Sequence, residues 1–174
     1  MNLPAGEPVE TGIDVKDVDL RKTLLNFFNA SLNGYLCVMI EGYDGVEEGV
    51  LVFKAGHPVA ASYEYLKHDK SVAGEGALSR VFNAVTAPSG IVDVYSMSKE
   101  QTDLVISFNA DAVFKKILGK SDIEALATQQ YTEKYAIESV GVKEKPFSKR
   151  EVLKKYRLEE IVSHKGPQKG AVRQ

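Results

Sequence analysis

"GVLVFKAGHPVAASYEY", running from Gly49 to Tyr65, is the stretch whose reading decides the fold. Two apolar runs, Gly49 to Lys54 and Pro58 to Tyr65, flank Ala55-Gly56-His57-Pro58. Short runs rich in Val, Ala, Phe and Tyr, split by a Gly-containing turn, read as two antiparallel strands. Gly56 permits a positive φ at the reversal. Pro58 sits at the start of a strand, where its missing N–H does little harm. Because the turn also carries His57, it either presents chemistry or only reverses the chain.

Working outward, "YLCVMI" (35–40) reads as a preceding strand. The "EGYDGVEE" that follows it is glycine- and acid-rich, as a hairpin loop should be. Three short strands with short loops predict an antiparallel meander. Before it, "DVDLRKTLLNFFNASLNG" places Leu20, Leu24, Phe27, Phe28 and Leu32 at helical steps. Asp17 or Asp19 can cap that helix, and Gly34 supplies a left-handed residue to end it. After it, "SVAGEGALSRVFNAVTAPSG" carries the stripe Leu78, Val81, Phe82 and Val85 and is stopped by Pro88 and Gly90. "IVDVYSM" alternates like a strand. "SKEQTDLVISFN" opens with Ser98 and Gln101 at capping-box spacing, with Leu104, Val105 and Phe108 on one face. "ADAVFKKILG" and "SDIEALATQQYTEKYAIE" continue the helical pattern.

The expected fold is therefore α+β, an antiparallel sheet of about four strands with helices packed on one face. Residues 1–16 read as a flexible lead-in and 17–138 as the α+β domain. Residues 139–163 read as a linker and C-terminal amphipathic helix, and 164–174 as a disordered basic tail.

The totals bound what such a chain does. It has 174 residues, 44% hydrophobic and 26% charged, enough for one domain with a real core plus an appendage. No apolar run approaches the ~20 residues that span a membrane. The N-terminus lacks the basic and apolar regions of a secretory signal. The lone Cys37 forms no intramolecular disulfide, so the expected location is the cytoplasm. The net charge of -2 hides an asymmetry: residues 143–174 hold ten basic and four acidic side chains, leaving twelve basic and twenty acidic before them.

Little in the sequence points to catalysis. His57, His68 and His164 have no second ligand at metal spacing, and a zinc site needs three or four converging ligands. Cys37 lies mid-strand, where a buried thiol is inert. No phosphate-cradling glycine loop is present. "GEGALSRVF" opens a helix, but Glu75 already complements its dipole. Asp44, Glu47 and Glu48 lack the spacing of a calcium loop. The reading is of a non-enzyme without cofactor or metal.

The closing "SKREVLKKYRLEEIV" is the candidate interaction element. Ser148 and Glu151 have capping-box spacing, and Val152, Leu153 and Tyr156 give an apolar side among Lys154, Lys155 and Arg157. These six residues are the candidate partner-binding site. A protein partner is the favoured occupant, and the reading leaves a homodimer open. The alternative is nucleic acid, with Lys145, Lys149, Arg150, Lys165 and Lys169 adding phosphate contacts and Tyr156 stacking on a base.

"LNGYLCVMIEG…EEGVLVFKAGHPVAASYEYL…GEGALSRVFNAVTAPSGIVDVY" resembles the PATAN-type domain of bacterial signalling proteins over about residues 17–96. The matching pieces are Gly34, Gly49 to Ala61, Gly76 to Leu78 and Gly90 to Tyr95. The start "MNLPAGEPV" and the closing "KREVLKKYRLEE" are similar to an uncharacterised archaeal family with a C-terminal "LLKKY" helix. These resemblances imply a turn at Gly56 that serves the core rather than chemistry. They also imply a cytoplasmic adaptor or regulator with no catalytic residue to carry over.

Overall fold

A computed structural model describes residues 1–124 and 130–142. Met1–Val142 forms one compact unit. Six strands, β1 (Glu7–Asp14), β2 (Gly34–Gly42), β3 (Gly45–Lys54), β4 (His57–Tyr65), β5 (Lys70–Ala73) and β6 (Gly90–Ser96), form a sheet of order β1-β6-β2-β3-β4-β5. Every neighbouring pair is antiparallel. Helices α1 (Leu20–Asn29), α2 (Glu75–Ala84), α3 (Lys99–Phe108), α4 (Lys120–Glu124) and α5 (Lys134–Val140), with short 3-10 turns at Val15–Asp17, Leu66–His68 and Ala110–Ala112, complete the described elements.

The α+β class and the β2-β3-β4 meander agree with the sequence reading, but the sheet has six strands rather than about four. The two extra strands are its edges. β1 lies inside the segment read as a flexible lead-in and pairs with β6 through two register shifts. β5 is only four residues long.

Helices do not keep to one face, which corrects the expected architecture. Residues paired across antiparallel strands point to the same side. Leu36, Leu51 and Ala61 share a row with Val94, and Val38 shares one with Val92 and Tyr63. This first face packs against Leu24 of α1, Ala77 and Val81 of α2, Ile123 of α4 and Ala136 of α5. Tyr35, Val50, Val52 and Ala60 point the other way and meet Val105 of α3, Ala112 and the partly buried Met1 and Leu3.

Local rules explain the helix ends. Asp19 caps α1 by accepting from the Lys22 N–H at 3.0 Å. Ser98 and Gln101 form the expected capping box of α3. Three sequence expectations give way here. Gly34 opens β2 instead of ending α1, and Ser31 takes the positive φ after that helix. Leu104 and Phe108 of α3 are 54% and 74% exposed, and Val105 and Thr102 face inward instead. Residues 110–119 are not a helix: a 3-10 turn (Ala110–Ala112) leads into Val113, which bridges Ala60 of β4.

Residues 131–140 are tied to α2 by side chains. Asn83 both donates to the Thr132 carbonyl, at 2.9 Å, and accepts from its N–H, at 2.8 Å. Arg80 bonds the Tyr65 hydroxyl and the Ser139 hydroxyl, and its guanidinium lies 5.3 Å from the Tyr135 ring centroid.

Candidate interaction surface

The turn of Ala55 and Gly56 has positive φ at both residues, 48° and 80°, the combination of a type I′ hairpin. Its Gly56 side is buried against α1 and the loop after it, while Ala55 is exposed. Gly56 N–H donates to the Leu32 carbonyl at 2.7 Å, and a Cβ on Gly56 would strike the backbone of Phe27 and Phe28 at 2.6 Å. The Ala55 N–H bonds the Asn33 side chain at 2.9 Å. His57 Nδ1 lies 3.0 Å from the Leu118 carbonyl oxygen, and its ring meets Phe28 edge-on. The stretch that decides the fold is thus a hairpin docked against the loop after α1, and His57 is part of that docking.

One carboxylate is buried on the first face. Glu47 lies where Gly42 has no Cβ; any side chain there would overlap the Glu47 carboxylate. Its oxygens accept from the Tyr63 hydroxyl at 2.8 Å and the Tyr43 N–H at 3.0 Å. Burial, and then the Glu47 charge, pushes the Tyr63 phenol well above its ordinary range, and the same causes raise Tyr131 to about 12. These groups satisfy one another and tie the β2–β3 hairpin to β4. Beside them, Asp44 bonds Lys67 at 2.9 Å and His68 at 3.0 Å. Among the described residues, no group of three or more His, Cys, Asp and Glu converges as metal ligands do.

The second face is finished over only part of its area. Its rows follow from the strand register. Tyr95, Tyr35, Val52 and Ala60 form the first row, closed by α3 and the stacking of Tyr35 on Tyr95 at 5.0 Å. Asp93, Cys37, Val50 and Ser62 form the second. The Cys37 thiol is pushed up to about 12 by burial and by the Glu48 and Asp93 carboxylates, so it stays protonated at neutral pH. Ile91, Met39, Glu48 and Glu64 form the third row. Here Met39 is 38% and Ile91 45% exposed. Glu41 and Val46 pair beyond them, with Val46 44% exposed.

The third row and its border are therefore apolar at the centre and acidic around it. Glu64 pairs with the Met1 amine at 3.0 Å. Asp93 accepts from the Gly12 N–H at 2.6 Å, and Glu48 lies 3.8 Å from the Cys37 sulfur. No ion pair reaches Glu41, Glu48 or Asp93 among the described residues. The outer side of α3 offers a second apolar feature, a groove lined by Leu3, Pro4, Leu104 and Phe108.

The partner-binding residues read from sequence, Val152, Leu153, Lys154, Lys155, Tyr156 and Arg157, lie outside the described residues. The half-open face escaped sequence reading because its rows join residues from four strands. The signal that could have found it is the change along β2 from Tyr35 through Cys37 and Met39 to Glu41 on alternate positions.

The class defined by fold and surface is an α+β protein whose antiparallel sheet is fully covered on one face and half covered on the other. The chain belongs to an uncharacterised protein family conserved in archaea (DUF2226), whose model matches residues 1–109, from the N-terminus through α3. No curated protein and no solved structure matches it. No helix among the described residues is long and apolar enough to cross a membrane.

Proposed function

We propose that this protein is a non-catalytic cytoplasmic adaptor or regulator that binds another protein. The observation that carries the reading is the open third row of the second face, where Met39 and Ile91 are partly exposed side by side on neighbouring strands. Apolar side chains grouped on a rigid sheet and rimmed by polar ones are the usual make-up of a protein-contact surface. The resemblance of residues 17–96 to PATAN-type signalling domains points the same way. So does the internal pairing of the polar groups that would otherwise suggest chemistry: Glu47 with Tyr63, and His57 with Leu118.

The test is affinity capture from the native cell, comparing the unaltered chain with one carrying Met39→Ser and Ile91→Ser. A defined protein recovered by the first and lost by the second is the expected outcome. Recovery of the same proteins by both would reject the surface.

A second reading, nucleic-acid binding, is favoured by the excess of ten basic over four acidic residues in 143–174. Under it, capture is nuclease-sensitive. Replacing Lys154, Lys155 and Arg157 with Gln then weakens binding and flattens its salt dependence. Replacing Leu153 and Tyr156 with Ala leaves it intact.

A further inference from the structure

We infer that the open part of the second face receives a basic amphipathic segment of a partner protein, a short helix with lysine or arginine flanking one apolar stripe. This inference rests on the adaptor reading and names the chemistry of the partner at that same surface.

Three features select this occupant. The centre of the surface is apolar, with Met39 beside Ile91 and Val46 in the next row. A solely electrostatic ligand would leave that centre uncovered. The border is acidic, with Glu41, Glu48 and Asp93 free of ion pairs among the described residues. An apolar ligand without cations would strip water from those carboxylates and return nothing, a cost that rises steeply as charges are buried. The size also fits. Four strands at about 4.8 Å spacing make the third row ~14 Å wide from β6 to β4, roughly the length of a three-turn helix.

The same charges exclude other occupants. A second copy laid face to face would set Glu41, Glu48 and Asp93 against their own equivalents. Nucleic acid and an anionic lipid surface would be repelled by the same border. A basic helix gains on both counts, because its apolar stripe covers Met39 and Ile91 while its cations meet the carboxylates. Complementary charge of this kind mainly sets specificity and association rate, and the buried apolar contact supplies the holding energy.

The experiment uses the full chain and three labelled synthetic peptides of about four helical turns each. One is a Lys/Leu peptide with its leucines on a single helical face. The second has the same composition scrambled so that no face forms. The third replaces every Lys of the first with Glu. Binding is read by fluorescence anisotropy, and its location by backbone amide protection.

The Lys/Leu helix should bind at least about tenfold tighter than either control, a difference of ~1.4 kcal/mol. Protection should rise at residues 37–41, 46–50 and 91–93. Two double variants, Glu41→Gln with Glu48→Gln and Met39→Ser with Ile91→Ser, should each weaken binding by about tenfold or more. Circular dichroism and melting of both variants verify that the fold is intact.

Equal binding of the scrambled peptide would mean that charge alone is read, and the inference falls. Equal binding of the Glu/Leu peptide would mean that apolar contact alone is read, with the same result. Binding that neither double variant changes places the contact elsewhere. If no peptide binds while the Met39→Ser, Ile91→Ser chain still loses its captured protein, the partner chemistry is wrong and the adaptor reading stands. If that chain also captures normally, both readings fail together.

Discussion

The two faces of the sheet come from the same strands and end differently. On the first, Leu36, Leu51, Phe53 and Tyr63 are sealed by helices placed both before and after them in the chain. On the second, cover thins across the row of Asp93, Cys37, Val50 and Ser62, and Met39 and Ile91 in the next row are exposed. The difference is written along single strands. On β2 the first-face residues Leu36, Val38 and Ile40 are uniformly apolar and buried, whereas Tyr35, Cys37, Met39 and Glu41 grade from buried aromatic to exposed acid. On β3 the series Val52, Val50, Glu48 runs the same way. A face completed within the chain stays buried to the strand ends, even at Glu47, whose carboxylate is satisfied by Tyr63 and Tyr43. A face left for something else changes character where the cover stops.

The largest expected effect breaks the closed face. Phe53 is fully buried and meets Phe27 edge-on at 5.0 Å between ring centroids. Phe53→Ala removes that ring from a core held between sheet and helix, and should cost about 3–5 kcal/mol in urea unfolding. A cost near that of a surface change would mean that the first face is not the stabilising core.

Next in size is the polar centre at the end of the same face. Tyr63→Phe deletes the hydroxyl that donates to Glu47 at 2.8 Å and leaves a buried carboxylate one donor short. The expected loss is about 1–3 kcal/mol. The Tyr43 N–H contact stays in place. A neutral result would show that solvent reaches Glu47 and takes over the bond.

A stabilising change sharpens the comparison at the hairpin. Ala55 has φ 48° with a Cβ in the left-handed region, next to Gly56 at φ 80°. Asn-Gly is the preferred pair for two such residues. Ala55→Asn should therefore raise stability by up to about 1 kcal/mol, read as a higher urea midpoint at unchanged slope. A loss would indicate that the left-handed value at position 55 is not what the turn demands.

Legibility in the sequence follows the same division. The β2-β3-β4 meander, α2 and the α3 capping box are visible because each carries a strong local signal: apolar runs split by glycine, a helical stripe, a Ser-x-x-Gln spacing. The edge strands are not. In "EPVETGID" nearly every side chain is exposed and only Ile13 is partly covered, so no alternation marks β1 as a strand. The "KSVA" of β5 is too short for any period to register. Leu104 and Phe108 mislead because a helix bearing apolar residues on two sides does not announce which side is buried. Here Val105 points at the sheet and the other two point away. The open surface is hidden for a topological reason. β6 lies between β1 and β2, far from its sequence neighbours, and only that placement sets Ile91 beside Met39.

The last expected effect is the most discriminating. Met39→Ser and Ile91→Ser alter two large apolar side chains on central strands of the sheet, positions where a sequence-based argument would expect core-sized penalties. Exposures of 38% and 45% mean that folding removes just over half of each side chain from water, where full burial would contribute about 1.5–3 kcal/mol. Serine also lowers strand propensity, an effect confined to a scale of about 1 kcal/mol. Each change should cost about 1–2 kcal/mol in unfolding, below the cost of Phe53→Ala on the closed face. If either costs several kcal/mol, the row is part of a core completed within this chain and the second face is not open. If both costs stay within that range and partner capture is lost, stability and recognition separate by face. The first side of the sheet then holds the molecule together, and the uncovered part of the second does its work on another protein.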